Sequence, residues 1–388
     1  MTATRLFIVV LTWQATLWSQ EAIVMVPVAD LLGQPMQSIL KKQNKNAKES
    51  DIKTAYENLP AATERKEDCP RLYQLLFYER VKILEEQGCE IKIEVPHALY
   101  GVGDKGQLAG IYWTLKQNVA LLKNFDEKLI QQAVAPSRFE LNQKNIMTLQ
   151  KPFFHDSTNL YFSAGTRFIV QEPKHHTWKT TILDPKNHKP IVTYIPKDFL
   201  IGPAASEKEA QQAFVRLLRK WALFSSKKTI NYVWGGASFN FPLEGKQEPV
   251  QSGFDCAGLI IRAAQSCSIP FFLKNSSAQM YHLNELKENP LEEGDIIWFP
   301  GHVMVISSLA RNTIIESRGY ASGFGKLHEI PISTAFKDIT TMEQLIAHYR
   351  KKLPLILLNS QGNFSTKITT YKIVRFSSVW QNAHKHHA

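Results

Sequence analysis

The chain has 388 residues, which is long enough for two or three domains that each bury their own core. Hydrophobic residues make up 44% and charged residues 21%, which is typical of a folded protein and excludes a disordered or fibrous chain. The formal net charge of +11 favours an anionic partner, such as a membrane surface, an acidic cell-wall polymer or a nucleic acid. The basic residues are scattered and do not alternate with aromatic residues in one run, so we expect no nucleic-acid binding.

The first residues are typical of an export signal. Arg5 supplies a positive charge, and the apolar run from Leu6 to Trp18 is too short to span a bilayer. We assign residues 1–22 to a signal peptide, with an uncleaved signal anchor as the alternative. A membrane-spanning helix needs about 18 uninterrupted apolar residues, and no later stretch is that long. We therefore expect an exported protein of the periplasm or cell envelope, with no stable membrane span after signal removal.

Two β-rich regions follow the signal. Residues 23–125 contain runs such as "CEIKIEV", in which apolar and charged residues alternate with the period of a half-buried strand. Residues 126–204 contain "TRFIVQE", "TWKTTILD" and "KPIVTYIP", which are bounded by turn sequences. The spacing of these runs favours two small β-barrels over one large sandwich.

A mixed α/β region begins near residue 205. Ser206 and Glu209 have the spacing of a capping box at the start of an amphipathic helix. We assign residues 205–376 to this third domain, with an insertion at about 338–366 and a basic tail at 377–388.

The stretch "VQSGFDCAGLII" places Cys256 at the predicted start of a helix, with Asp255 as its N-cap. The unpaired amides and the positive dipole end at such a position favour a thiolate. The alternative is an ordinary buried cysteine. Cys267 falls on the apolar face of the same helix, and we expect it to lie in the core.

The best proton carrier for such a thiolate is His302, in "EEGDIIWFPGHVMVIS". Two apolar runs flank a Pro-Gly turn here and predict a β-hairpin whose second strand begins at His302. In the next predicted strand Glu316 could orient the imidazole, with Asp295 as a weaker competitor in a turn. Tyr232, in "INYVWGGASFNFP", could bind substrate or stabilise an oxyanion, or could serve packing alone.

The cysteine and histidine spacings argue against a disulfide scaffold and against a metal site. The chain has four cysteines and no C-x-x-C pair, although export would permit a bridge between Cys69 and Cys89. The histidines lack the spacing of zinc ligands. We expect no cofactor and no metal.

The ordered motifs "YVWGGAS", "SGFDCAGLI", "NSSAQM" and "EEGDIIWFPGHVMVI" resemble those of NlpC-type cysteine peptidases of bacterial cell walls, over about residues 206–376. The runs "VMVPVADLLGQP" and "ERVKILEEQG" resemble bacterial Src-homology-3-like domains. The resemblance implies a multidomain chain, in which two small SH3-like β-barrels precede an α+β papain-like cysteine peptidase domain. This arrangement is similar to that of γ-D-glutamyl-diamino-acid endopeptidases, which cut peptidoglycan stem peptides.

The resemblance also implies a role for each matching residue. Cys256 is the nucleophile, His302 the base, and Glu316 takes a third position where the family usually has histidine or another polar residue. His328 lies too far along the chain to take that position without a shift. Tyr232 lines the pocket of the cysteine, and Asp255 holds the free amine of the substrate.

Some features depart from the family or are not covered by its motifs. Ala257 stands where the family usually has serine, so a hydroxyl for substrate binding is missing. The segment "FPLEGKQEPVQS" adds about a dozen residues before the cysteine motif and predicts a loop at the rim of the groove. In "GIYWTLK", Tyr112 is a candidate substrate-binding residue, whereas Trp113 is expected in the barrel core.

These observations favour an exported peptidoglycan hydrolase that cleaves stem peptides or muropeptides through an acyl-enzyme, at the γ-D-glutamyl–diaminopimelate bond. The alternatives are a non-catalytic cell-wall-binding protein and an acyl or amide transferase with the same fold. We expect a monomer.

Overall fold

The computed structural model describes residues 19–43, 47–60, 69–102, 107–240 and 251–382. Residues 1–18 of the assigned signal, residues 241–250 of the extra loop and residues 383–388 of the tail lie outside the described residues. Across the described ranges, no helix is both long and apolar enough to cross a membrane.

The first region forms a seven-stranded sheet with the order β3-β2-β8-β5-β4-β1-β9, together with a separate hairpin, β6-β7. Ile91 and Ile93 are buried while Lys92 between them is not, as the alternating pattern predicts. The first strand begins at Gln20, so the last three residues assigned to the signal lie in this sheet. In chain order the elements are β1 (Gln20–Val24), β2 (Val28–Leu32), α1 (Met36–Lys42), α2 (Glu49–Glu57), β3 (Arg71–Leu76), β4 (Arg80–Gln87), β5 (Glu90–Glu94), β6 (Tyr100–Val102), β7 (Gln107–Ala109), β8 (Ile111–Leu115) and β9 (Val119–Leu121).

The core of the second region is shared with the first, which contributes Ile23, Phe77 and Tyr78 to it. Its five-stranded sheet has the order β15-β14-β13-β10-β16, and β11 and β12 form a separate hairpin. Phe162 and Phe168 are fully buried in this core, with their rings 5.5 Å apart and nearly perpendicular. The elements are α3 (Glu127–Ala133), β10 (Ile146–Leu149), β11 (Phe153–His155), β12 (Leu160–Phe162), β13 (Arg167–Lys174), β14 (Thr177–Leu183), β15 (Pro190–Pro196) and β16 (Leu200–Ile201).

The third region is built on a six-stranded sheet with the order β17-β24-β18-β19-β20-β21. Its first helix has the predicted cap, since the Ser206 hydroxyl accepts a hydrogen bond from the Glu209 amide. The elements are α4 (Glu207–Lys227), α5 (Cys256–Ser266), α6 (Ser276–His282), β17 (Asn284–Glu285), β18 (Ile296–Phe299), β19 (His302–Ser308), β20 (Thr313–Arg318), β21 (Lys326–Pro331), α7 (Ile332–Ala335), α8 (Met342–Arg350), β22 (Leu355–Leu358), β23 (Phe364–Ile368), β24 (Lys372–Arg375) and α9 (Val379–Asn382).

The two faces of this sheet are covered by different parts of the chain. Val303 and Val305 of β19 face the core that contains α4 and α5. Met304 and Ile306 face the opposite side, where they pack with α8, β22 and the end of β23. Residues from 332 to 368 therefore supply much of the layer that buries the second face of the sheet.

A buried arginine joins the first sheet to helix α5. The Arg262 guanidinium pairs with Glu79 at 2.6 Å and donates hydrogen bonds to the carbonyls of Gln74 at 2.9 Å and Ala237 at 2.8 Å. Because α5 begins with Cys256, these contacts fix the position of the cysteine relative to the first sheet.

Candidate active site

Cys256 is the first residue of helix α5, as the sequence predicts. Asp255 is the N-cap, and its side chain accepts a hydrogen bond from the Gly258 amide. A Cβ at Gly258 would collide with the Gly236 carbonyl, so the glycine lets the Tyr-Val-Trp-Gly-Gly loop approach the first turn of α5. Cys256 keeps 9% of its surface exposed, whereas Cys267 at the other end keeps 1%. The first turn therefore holds a largely buried thiol beside a close loop, with more exposed surface at Cys256 than at Cys267.

His302 begins strand β19 and lies opposite Phe299 across the predicted hairpin. The turn between them contains Gly301 at φ +85°, a conformation that favours glycine. The His302 Nε2 atom lies 2.6 Å from Glu316 Oε2. Cys256 is the other neighbour whose side chain acts on the imidazole of His302. The structure therefore brings Cys256, His302 and Glu316 together in one site.

The surroundings of His302 favour its charged form. Burial alone would lower the pKa of the imidazole, but the hydrogen bonds to Cys256 and Glu316 raise it from 6.5 to about 9. An imidazolium is therefore maintained beside the thiol at neutral pH. A positive charge beside a cysteine stabilises its thiolate form.

Glu316 is shared by two histidines. Its side chain is fully buried, with Oε2 on His302 and Oε1 at 3.0 Å from His328 Nε2. Arg318 lies 3.8 Å away. Burial would raise the pKa of the carboxyl, but these partners hold it well below its usual range. Glu316 is therefore an anion whose charge is directed at two imidazoles.

The sequence did not predict the role of His328. His328 does not replace Glu316, but it lies directly opposite it in the antiparallel pairing of β20 and β21. That pairing depends on the length of the loop between Arg318 and Lys326, which no motif determines. His328 also lines a cavity of about 530 Å³ together with Phe324. The missed residue is therefore a second partner of the carboxylate.

Of the two tyrosines, only Tyr232 is brought to the cysteine. Burial, and then the neighbouring Cys256 and Asp255, raise the pKa of Tyr232 well above its usual value, so its hydroxyl stays protonated. Tyr112 has no exposed surface, and its hydroxyl donates a hydrogen bond to the Ala98 carbonyl at 2.6 Å. Contrary to the sequence-based expectation, Tyr112 therefore lies in the core of the first sheet and not on a substrate-contacting surface.

Asp255 already has a cationic partner within the chain. Its Oδ2 lies 2.6 Å from Lys274 Nζ, and the two side chains are only 13% and 5% exposed. The resemblance implies that this carboxylate holds a substrate amine, but here it is paired with Lys274, which none of the motifs indicates. The sequence feature that could have pointed to Lys274 is its place as a single charged residue directly after the apolar run "PFFL".

The other candidate groups serve the structure. Asp295 lies in the turn before β18, where its carboxylate accepts a hydrogen bond from the Glu292 amide, and burial raises its pKa to about 6. All four cysteines are free, so Cys69 and Cys89 are not bridged. Cys267 lies in the core as predicted, where burial raises the pKa of its thiol to about 12. The described ranges contain no group of three or more potential metal ligands.

Comparison with solved structures supports the fold. An NlpC/P60 family protein from Bacillus cereus ATCC 10987 matches 81% of this chain and 95% of its own chain, with a TM-score of 0.51 and 15% identity. The chain shares this NlpC/P60 fold. NlpC2 from Trichomonas vaginalis (13% identity, TM-score 0.31, covering 92% of this chain and 98% of that one) is a looser match. So is the peptidoglycan hydrolase RipB from Mycobacterium tuberculosis (25% identity, TM-score 0.24, covering 33% and 60%). No family model and no curated protein sequence matches the chain.

Proposed function

We propose that the protein is an exported peptidoglycan hydrolase, a cysteine endopeptidase that cleaves stem peptides at the γ-D-glutamyl–diaminopimelate bond. The observation that carries the proposal is the placement of Cys256, at the start of α5, beside His302, whose imidazole lies 2.6 Å from the buried Glu316. A helix-start thiol beside a charged imidazole is an arrangement suited to acyl transfer.

In the first half of the reaction, the Cys256 thiolate attacks the scissile carbonyl carbon. The tetrahedral oxyanion forms beside the first turn of α5, whose positive dipole end favours negative charge. The hydroxyl of Tyr232 stays protonated and is a further donor near the thiol. The His302 imidazolium then gives its proton to the leaving amine, the C–N bond breaks, and a thioester on Cys256 remains.

In the second half, water hydrolyses the thioester. Neutral His302 accepts a proton from the water as its oxygen attacks the acyl carbon. The C–S bond breaks, the carboxylic acid leaves, and the thiolate–imidazolium pair is restored. Glu316 stays ionised throughout, because its negative charge stabilises the imidazolium in each half.

The choice of substrate rests on the resemblance of the motifs and on charge. The four ordered motifs resemble those of cell-wall peptidases. A net charge of +11 draws the protein toward polymers rich in carboxylates. The assignments of a signal peptide and of Src-homology-3-like domains belong to the same proposal, as does a location in the cell envelope.

Incubation of the purified protein with defined muropeptides, followed by mass spectrometry, tests the proposal. We expect two products whose masses correspond to cleavage after D-glutamate, and loss of both products in Cys256→Ala. Cys89→Ala is the matched control, because it removes a free thiol from the first sheet and leaves the site intact. Cleavage that persists in Cys256→Ala, or binding of muropeptides with no turnover by the wild-type protein, would overturn the assignment.

A further inference from the structure

The carboxylate next to the nucleophile is neutralised by a lysine of the chain itself. Lys274 Nζ lies 2.6 Å from Asp255 Oδ2, and the same carboxylate caps α5 through the Gly258 amide. Both side chains are largely buried. The position that precedes Cys256 therefore has no net negative charge.

The other charged groups near Asp255 are balanced as well. Arg71 is close enough to interact with Asp255, but its guanidinium is bonded to Asp30 at 2.7 Å, and both of those side chains are buried. Two cations, Lys274 and Arg71, are thus paired with the carboxylates of Asp255 and Asp30. Among the described residues here, no unpaired acid is left to receive a further cation.

The backbone fixes Lys274 in place. Its amide donates a hydrogen bond to the Leu99 carbonyl at 2.7 Å, and the Leu99 amide donates one to the Phe272 carbonyl at 2.6 Å. This isolated parallel bridge, between Leu99 and Leu273, joins the loop after α5 to the segment between β5 and β6 of the first region. The lysine is therefore held at the site by the docking of two regions and not by its side chain alone.

We propose that the substrate group which lies beside Asp255 is uncharged, so that the protein prefers stem peptides whose amino end is acylated over peptides with a free amine. The inference rests on the proposed function and specifies its substrate class. A free ammonium would meet the like charge of Lys274 and would have to displace a buried ion pair, which leaves a charge uncompensated. Ala257 offers no hydroxyl that could receive the amine instead.

A matched pair of peptides tests this preference. The probes are one stem tripeptide with a free amino end and the same tripeptide N-acetylated, each assayed for kcat/KM. We expect the wild-type protein to cleave the acetylated peptide at least about tenfold faster. Equal cleavage, or faster cleavage of the free amine, would overturn the inference.

Variants of Lys274 test the cause. Lys274→Met removes the ammonium with little change in side-chain length, and we expect the preference to shift toward the free amine by about tenfold or more. Lys274→Arg keeps the charge and should keep the wild-type preference, which distinguishes a charge effect from misfolding. Lys151→Met is the control, since it breaks an ion pair of the same 2.6 Å length in the second region. An unchanged preference in well-folded Lys274→Met would contradict the inference.

The failure of the proposed function gives a different result. If the wild-type protein cleaves neither peptide, the endopeptidase assignment is overturned. Calorimetric binding of both peptides to Cys256→Ala then decides the inference separately, because that measurement needs no turnover. Tighter binding of the acetylated peptide supports the inference, and tighter binding of the free amine overturns it.

Discussion

Two buried glutamates show how the same side chain serves two purposes. Glu79, in the interface between the first sheet and α5, lies 2.6 Å from the guanidinium of Arg262. Glu316, in the candidate active site, lies at the same distance from the imidazole of His302. The nearest cation is a guanidinium at Glu79 and an imidazole at Glu316, whereas His97 lies 3.7 Å from Glu79 and Arg318 lies 3.8 Å from Glu316.

That difference determines what each contact does. A guanidinium stays charged at every pH at which the protein is folded, so the Glu79 pair is permanent and holds two regions together. An imidazole gains and loses its proton near neutral pH, so the Glu316 contact sets a protonation state. The pair of Asp255 and Lys274 resembles the Glu79 pair, because its cation is not an imidazole, although it lies beside the nucleophile.

The largest expected effect is on the rate of Glu316→Gln. The amide keeps the shape of the side chain but removes the charge that stabilises the imidazolium. We expect kcat/KM to fall by about 10²–10⁴-fold, with the fold unchanged. Steady-state cleavage of a muropeptide measures the effect.

A neighbouring glutamate provides the control for this variant. Glu329 lies on β21 and accepts hydrogen bonds from Ser307 at 2.7 Å, Thr313 at 2.8 Å and Arg311 at 2.7 Å. Glu329→Gln should leave the rate within about threefold of wild type, since it removes no charge from the contact between Glu316 and His302. Equal losses in the two variants would mean that Glu316 acts through the stability of the sheet.

The second prediction concerns stability. Glu79→Gln leaves the buried Arg262 without its counter-charge, and we expect the free energy of unfolding to fall by about 3–5 kcal/mol. Urea denaturation followed by circular dichroism measures the change. The control is Glu85→Gln in the exposed pair with Lys92, where we expect about 0–1 kcal/mol.

The pair of Glu79 and Arg262 should also make the stability of the protein depend on pH in the acid range. Burial would raise the pKa of Glu79, but Arg262 and His97 lower it from 4.5 to about 2. Its contribution is therefore complete above pH about 4.5 and is lost as the pH falls toward 2. Glu79→Gln should flatten this part of the stability curve, and an unchanged curve would show that the pair contributes nothing.

The local parts of the site could be predicted from the sequence, and the long-range parts could not. The helix start at Cys256 and the hairpin at His302 follow from local patterns, and both are confirmed. Lys274 and His328 reach the site through a loop docking and a strand pairing, which no short motif encodes. The burial of Tyr112 could not be predicted, because an alternating strand pattern does not tell which face of the strand a second region will cover.

The third prediction is a pH profile. The pKa of His302 is raised from 6.5 to about 9, so activity that requires the imidazolium should decline as the pH rises through about 9. The raised pKa also contributes stability that is complete below pH about 6.5 and lost as the pH rises through about 9. In Glu316→Gln the decline in activity should occur at lower pH. A decline at the same pH in both proteins would show that Glu316 does not set this pKa.

The smallest expected effect separates the two histidines that share Glu316. His328→Leu removes the donor 3.0 Å from Oε1 but leaves the His302 contact in place. We expect a loss of about tenfold in kcat, because a hydrogen bond to an ionised carboxylate contributes roughly 1.5 kcal/mol or more. KM should change little, since His328 contacts the carboxylate and acts as a positioning residue. His328→Gln offers a replacement donor and should recover most of the rate. If His328→Leu instead lost as much kcat as Glu316→Gln, the role of Glu316 in catalysis would require both imidazoles equally. His328 would then be as important as His302 for the difference between Glu316 and the permanently paired Glu79.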